Sequence, residues 1–226
     1  MPDASAVLAM IALNNGRVAC ARVLASLWPH LSELSAGQQL CDTLRRLRRD
    51  QPQIAGHMVQ NRVALAWLAE ADVRVDVHTF SAAVLRHDWS AAVAMYTGDF
   101  LEGNGLEWVV SMRAGLRLEY IYALDRLIEH CDLRRDFSQA RLLSNRLIEL
   151  EPARECGYQL VMRYSHLLGD FMGVASTFRR CQQFLCEHFG MEPSAATCSL
   201  YRACLAPASR IGEAMRMTAE TAMALA

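Results

Sequence analysis

The sequence predicts a mainly α-helical protein in which a small module of three helices and a hairpin precedes a longer run of paired helices. Three observations support this fold class. Short helical stretches and two alternating strands follow one another in the first third of the chain, a helical period dominates from Val75 onward, and one turn motif recurs after 34 residues. At 226 residues the chain is long enough for two such modules.

The first three helices are predicted from apolar spacing and from signals that stop or start a helix. Residues 6–13 are apolar and end at Asn14-Asn15-Gly16, which is a common helix stop. Residues 20–28 place apolar side chains on one face and end before a proline. Ser35 is then predicted to cap a third helix, which covers residues 36–50.

A hairpin is predicted after the third helix. Residues 57–60 and 62–68 alternate around Asn61, with Val63, Leu65 and Trp67 on one face. Three helices followed by a hairpin are the order of a winged helix-turn-helix. We assign this module to residues 1–74.

The second module is predicted from a repeated turn. Arg135-Asp136-Phe137 and Gly169-Asp170-Phe171 lie 34 residues apart, and each stands between two apolar helical stretches. His87-Asp88-Trp89 is a more divergent copy. A period of 34 residues is typical of tetratricopeptide helix pairs, which bury their faces by stacking. We therefore expect a tetratricopeptide-like helical repeat domain over residues 75–205 and a tail rich in alanine and methionine over residues 206–226.

The third helix carries the candidate binding surface. Its leucines at 40, 44 and 47 share one face, which predicts an inward side, and polar residues occupy the rest of the helix. Glutamine can pair with adenine edges, arginine with guanine or phosphate, and the threonine methyl group with thymine. The predicted DNA-facing residues are Gln38, Gln39, Thr43, Arg45, Arg46 and Arg49, with Arg62 at the hairpin tip. An ordinary solvated helix face is the alternative interpretation of these arginines.

The charge distribution and the lack of catalytic motifs limit the possible classes of function. Residues 1–69 carry seven arginines and four acidic residues, whereas the remainder carries 16 arginines and 20 acidic residues, so only the first part suits a polyanion. The sequence contains no glycine-rich phosphate loop, no Gly-x-Ser-x-Gly and no His-Glu-x-x-His motif. We therefore expect no catalytic residues and no bound cofactor, and a protein that is not an enzyme.

Cysteine spacing and hydropathy give two further expectations. The eight cysteines contain no Cys-x-x-Cys pair, which favours reduced, buried thiols over disulfides or a metal site. No apolar run is long enough for a membrane helix, and the first residues lack the basic start of a secretory signal. We expect a cytoplasmic protein that does not insert into a membrane.

Short phrases spread over about residues 5–205 carry a family resemblance. They are Asn14-Asn15-Gly16-Arg17-Val18, Leu24, Leu27-Trp28-Pro29, Leu44, Leu47-Arg48, Asp76-Val77, Phe80, Tyr96-Thr97-Gly98-Asp99-Phe100-Leu101-Glu102-Gly103, Glu187-His188-Phe189-Gly190-Met191-Glu192-Pro193-Ser194 and Leu200-Tyr201. The chain resembles the bacterial transcriptional activator domain proteins, including the antibiotic regulatory proteins of actinomycetes. These join a winged helix of response-regulator type to a tetratricopeptide-like domain.

The resemblance implies a bacterial transcriptional activator whose third helix faces double-stranded DNA. It also implies that the helical domain mediates self-association, as in a homo-oligomer, or contacts RNA polymerase or a sigma factor. An adaptor that binds only proteins, with a winged helix that no longer binds DNA, is the alternative function.

Two departures from the family pattern concern the first helices. Family members usually have a small antiparallel sheet before the first helix, so the winged helix is predicted to be truncated, and the apolar side of residues 6–13 needs another cover. Ala19 stands where a serine or threonine usually caps the second helix, which costs about 1 kcal/mol.

Overall fold

A computed structural model describes residues 4–68 and 73–206, and it confirms the mainly helical fold. The helices are α1 (Ala4–Leu13), α2 (Cys20–Leu27), α3 (Glu33–Asp50), α4 (Pro52–Ala55), α5 (Asp76–Leu85), α6 (Trp89–Met95), α7 (Glu107–Leu133), α8 (Phe137–Leu150), α9 (Glu155–Leu167), α10 (Phe171–Phe189) and α11 (Ala195–Leu205). The strands are β1 (Arg17–Ala19), β2 (Met58–Gln60) and β3 (Ala64–Trp67).

The chain divides into two compact units, residues 1–123 (unit 1) and residues 124–226 (unit 2), and the division falls within α7. The predicted module boundaries at residues 74 and 205 stay predictions. Most of the predicted tail, residues 207–226, lies outside the described residues.

The three strands form an antiparallel sheet in the order β1-β3-β2. The sequence did not predict β1, because three residues with one buried side chain, Val18, are too few to show an alternating pattern. Val18 pairs with Leu65, which is fully buried. The prediction that Val63 shares the inner face is wrong, since Val63 lies in the turn before β3 and is 67% exposed.

The third helix begins earlier than the sequence predicts. Ser32, not Ser35, is the N-cap of α3, because its side chain accepts a hydrogen bond from the Ser35 amide at 3.3 Å. Ser35 itself lies in the first turn of the helix. At α2 the prediction is confirmed: Ala19 is the N-cap residue and its side chain makes no capping hydrogen bond.

The core of unit 1 lies between α1, α2, α3 and β3. Leu40, Leu44 and Leu47 are buried there, as the leucine spacing predicts, together with Val7 and Ile11 of α1. Part of the cover for this core comes from residues that follow the sheet in sequence. They are Leu101, Leu106 and Trp108, and all three pack against this same core.

Arg113 of α7 holds the segment that provides this cover. Its guanidinium donates hydrogen bonds to the carbonyl oxygens of Phe100 at 2.7 Å and Asn104 at 2.9 Å, and to that of Leu101. Three backbone acceptors on one guanidinium fix the loop that carries Leu101. This loop belongs to the phrase of residues 96–103 that carries part of the family resemblance.

The repeated turn begins a helix at each of its three copies. Asp88, Asp136 and Asp170 are the N-caps of α6, α8 and α10, and each side chain accepts from the amide three residues on. The residue before each aspartate has a positive φ: 59° at His87, 56° at Arg135 and 75° at Gly169. In unit 2 these turns set up helix pairs, with α9 packed against α8, α10 and α11.

Asp136→Ala is expected to lower the free energy of unfolding of unit 2 by about 1 kcal/mol, because the Gln139 amide loses its acceptor at the start of α8. Urea denaturation followed by circular dichroism measures the loss. Asp136→Asn serves as the control, since asparagine also caps helices. An asparagine variant as unstable as the alanine variant would show that the charge, not the hydrogen bond, matters.

The cysteines are only partly as predicted. Cys131, Cys181 and Cys204 are buried, and burial raises the pKa of the Cys181 thiol to about 11, which keeps it protonated at neutral pH. The prediction of burial is wrong for Cys41 and Cys186, which lie on the exposed sides of α3 and α10. All eight thiols are free.

In residues 4–68 and 73–206, no three His, Cys, Asp or Glu side chains are grouped to hold a metal ion, and no helix could cross a membrane.

Candidate nucleic-acid interface

The exposed side of α3 contains most of the predicted DNA-facing residues. Five of these side chains are exposed and one is half-buried: Gln38, Gln39, Arg45, Arg46 and Arg49 are exposed, and Thr43 is half-buried. The buried leucines on the opposite side of the helix anchor it to the core of unit 1. The helix is therefore fixed to the core by its leucines and exposes an arginine-rich polar surface on the other side.

Two of the arginines on α3 make local ion pairs. The Nη1 atom of Arg45 lies 2.5 Å from Oδ1 of Asp42, and Nε of Arg49 lies 2.7 Å from Oδ1 of Asp50. The hydrogen bond from Arg49 lowers the pKa of the Asp50 carboxyl, so this group is ionised at neutral pH. Arg45 is 75% and Asp42 is 48% exposed, and such pairs contribute at most about 1 kcal/mol. They can be exchanged for other partners at little cost.

The hairpin of β2 and β3 places Arg62 at its tip. The Asn61 side chain accepts hydrogen bonds from the amides of Val63 and Ala64, both at 2.8 Å, and so closes the turn. Arg62 is exposed beside this turn. The predicted position of Arg62 at a loop tip is therefore observed, whereas its contact with DNA stays a prediction.

Arg48 connects α3 with the hairpin, and the sequence did not predict this contact. Its Nη2 donates a hydrogen bond to Oε1 of Gln60 at 3.3 Å, which joins the last turn of α3 to β2. Residues 12 apart on two different elements leave no periodic signal in a sequence. Arg48 thus links the two candidate DNA-binding elements through an exposed hydrogen bond.

Family comparison decides the class of the protein. The bacterial transcriptional activator domain (BTAD) family matches residues 69–205, which is more than half of the chain. The chain belongs to this family. It therefore carries the domain of bacterial transcriptional activators, a class of transcription regulators. The BTAD match begins after α3 and the hairpin, so it does not itself cover the candidate interface.

A solved structure shares the fold of this BTAD chain. It is Mycobacterium tuberculosis EmbR in complex with low affinity phosphopeptide, with 19% sequence identity and a TM-score of 0.57. The similarity covers 100% of this chain and 65% of that chain, so the present chain spans about two thirds of its length. The search of curated proteins found no match.

Proposed function

We propose that this regulator binds double-stranded DNA by inserting α3 into the major groove. The observation that carries the proposal is the division of α3 into a buried leucine side and an exposed side with Arg45, Arg46 and Arg49. A helix supported in this way can reach base edges without distorting its own core. The comparisons support the regulator class, and the exposed side of α3 supports DNA as the ligand.

The residue types on α3 suit the major groove. Gln38 and Gln39 can donate to and accept from adenine, and arginine can bind guanine or phosphate through two hydrogen bonds. Half-buried Thr43 has a methyl group that can contact thymine. Asp42 can accept from the amino group of cytosine once Arg45 turns to a phosphate. The exposed Arg62 would then contact the backbone or the minor groove beside the hairpin.

The helical domain would supply the protein contacts of the regulator. Stacked helix pairs present extended surfaces to partners, and α8 to α11 form such a stack. We propose that this domain mediates self-association into a homo-oligomer or contacts RNA polymerase or a sigma factor. Contact with the polymerase or a sigma factor would bring the polymerase to the DNA that α3 binds, and self-association would bring two copies of α3 to one DNA site.

A salt titration tests DNA binding directly. The full chain is titrated into a labelled duplex from the DNA upstream of its own reading frame, and fluorescence anisotropy is measured at several salt concentrations. The logarithm of the affinity should fall linearly with the logarithm of salt, by about 0.9 for each phosphate neutralised. A duplex of the same composition in scrambled order is the control for specificity. A flat salt response would overturn the proposal.

One observation favours the adaptor as a second candidate function. Leu34, on the first turn of α3, is 76% exposed and lines an open groove with Leu24 and Cys41. An exposed apolar side chain in a groove suits a protein partner. A stable protein complex that survives high salt, together with no retardation of the upstream duplex, would favour the adaptor over the DNA-binding regulator.

A further inference from the structure

Unit 1 contains a cavity that DNA binding by α3 does not use. Its volume is 510 Å³, which falls within the range of about 300–1,000 Å³ typical of small-molecule sites. Its walls come from α1, the end of β3, α5, the loop after α6, and α7. Elements of the predicted winged helix and of the BTAD segment thus enclose it together.

The walls of this cavity are mainly apolar. The apolar lining residues include Leu8 and Leu13 of α1, Phe80 of α5 and Leu116 of α7. Polar groups are supplied to the lining by Ser5, Asp76, Tyr96, Thr97 and Asp99. Two of these five are carboxylates and none is a cation, while Arg117 pairs with Asp99 from outside the lining. A negatively charged ligand would therefore be repelled by the Asp76 carboxylate, whereas a neutral or positive one would not.

The polar side of the cavity is rigidly built. The Tyr96 hydroxyl donates a hydrogen bond to Oδ1 of Asp99 at 2.8 Å, and Nη1 of Arg117 lies 3.6 Å from the other carboxylate oxygen. The ring of Tyr96 stacks on that of Tyr120 with 4.1 Å between centroids. Asp99 is therefore held in place before any ligand arrives, and a site arranged in advance loses less entropy on binding.

Trp67 adds its indole ring to the cavity wall at the end of β3. Its Nε1 atom is buried without a hydrogen-bond partner among the described residues, so it does not face the open space of the cavity. The polar contact of a ligand therefore falls to Asp99, whose carboxylate oxygens can accept a further hydrogen bond from a hydroxyl, amine or amide.

We propose that this cavity binds a small organic molecule that is neutral or positively charged, with an apolar ring-containing body and one hydroxyl, amine or amide group. The apolar walls bind the body through burial of its surface. Asp99 orients the polar group by accepting a hydrogen bond from it. The proposal does not depend on DNA binding, and its test needs no DNA.

Two dyes with the same apolar skeleton test the proposal on the unmodified full chain. N-phenylnaphthylamine is neutral with one N–H group, and anilinonaphthalene sulfonate adds a negative charge. The neutral dye should show saturable binding at one site, and the sulfonate should bind at least about tenfold more weakly. Binding without saturation, or equal binding of both dyes, would overturn the proposal. So would neutral-dye binding that weakens as the protein concentration rises, since a second copy of the chain would then occupy the cavity.

Variants that fill the cavity locate the site. Ala9→Phe and Ala12→Phe each add a ring at the α1 wall and should weaken neutral-dye binding at least about tenfold. Ala114→Phe, at an exposed position of α7, is the matched control and should bind as the natural chain does. Unchanged binding in both filled variants would show that the dye does not bind in this cavity. If neither variant melts cooperatively, the two-dye comparison on the natural chain still decides.

Discussion

Leu44→Ala is expected to lower the free energy of unfolding of unit 1 by about 2–5 kcal/mol. Leu44 is 2% exposed and packs in the core that joins α1, α2 and α3. Removal of its side chain leaves a cavity beneath the helix that presents the arginines. Because α3 is held by this side, we also expect the variant to lose affinity for DNA.

Tryptophan fluorescence during urea denaturation measures this loss in unit 1 alone. All four tryptophans of the chain, at positions 28, 67, 89 and 108, lie in unit 1. Leu34→Ala is the control in the same helix, because Leu34 is 76% exposed and its loss should change the free energy by no more than about 0.5 kcal/mol. Equal losses in the two variants would contradict the observed division of α3 into a buried and an exposed side.

The double replacement Arg45→Ala with Arg46→Ala is expected to weaken binding to the upstream duplex at least about tenfold. Each arginine that contacts a phosphate contributes about one unit to the salt dependence, so the slope should fall by about two. An arginine that contacts guanine instead would contribute about 1–3 kcal/mol at one base pair. Loss of the exposed Arg45–Asp42 pair should change the stability of the fold very little.

The control for this variant removes the same charge elsewhere. Arg179→Ala with Arg202→Ala changes two exposed arginines on α10 and α11 of unit 2. Anisotropy titrations at several salt concentrations compare the two double variants with the natural chain. If both lower the affinity equally, net charge rather than the α3 surface accounts for binding. If neither does, α3 does not contact DNA.

Some elements followed directly from the sequence. The spacing of Leu40, Leu44 and Leu47 predicts the buried side of α3, because side chains three or four residues apart share a helix face. The recurring aspartates at 136 and 170 predict the starts of α8 and α10, since a cap acts within one helical turn. The predicted N-cap of α3, Ser35, lies one helical turn after the observed one, Ser32. Both serines carry the same local signal, because they lie three residues apart before the leucine pattern.

The candidate interface was predictable in part. The exposure of Arg45, Arg46 and Arg49 followed from the leucine pattern, and the hairpin position of Arg62 followed from the alternation around Asn61. The link between Arg48 and Gln60 did not, because it depends on how the hairpin packs against the last turn of α3. Contact of these residues with DNA stays a prediction that the two titrations test.

The sequence by itself therefore determined the helical class, the repeated turns, the polar side of α3 and the resemblance to the family to which the chain belongs. These properties depend on residues within a few positions of one another, or on short phrases. Only the tertiary structure decided that β1 pairs with β3, that Leu101, Leu106 and Trp108 pack against the core that includes α1, and that a cavity lies beside Trp67. Such contacts join residues tens of positions apart, and their partners are chosen by packing in three dimensions, which no local pattern records.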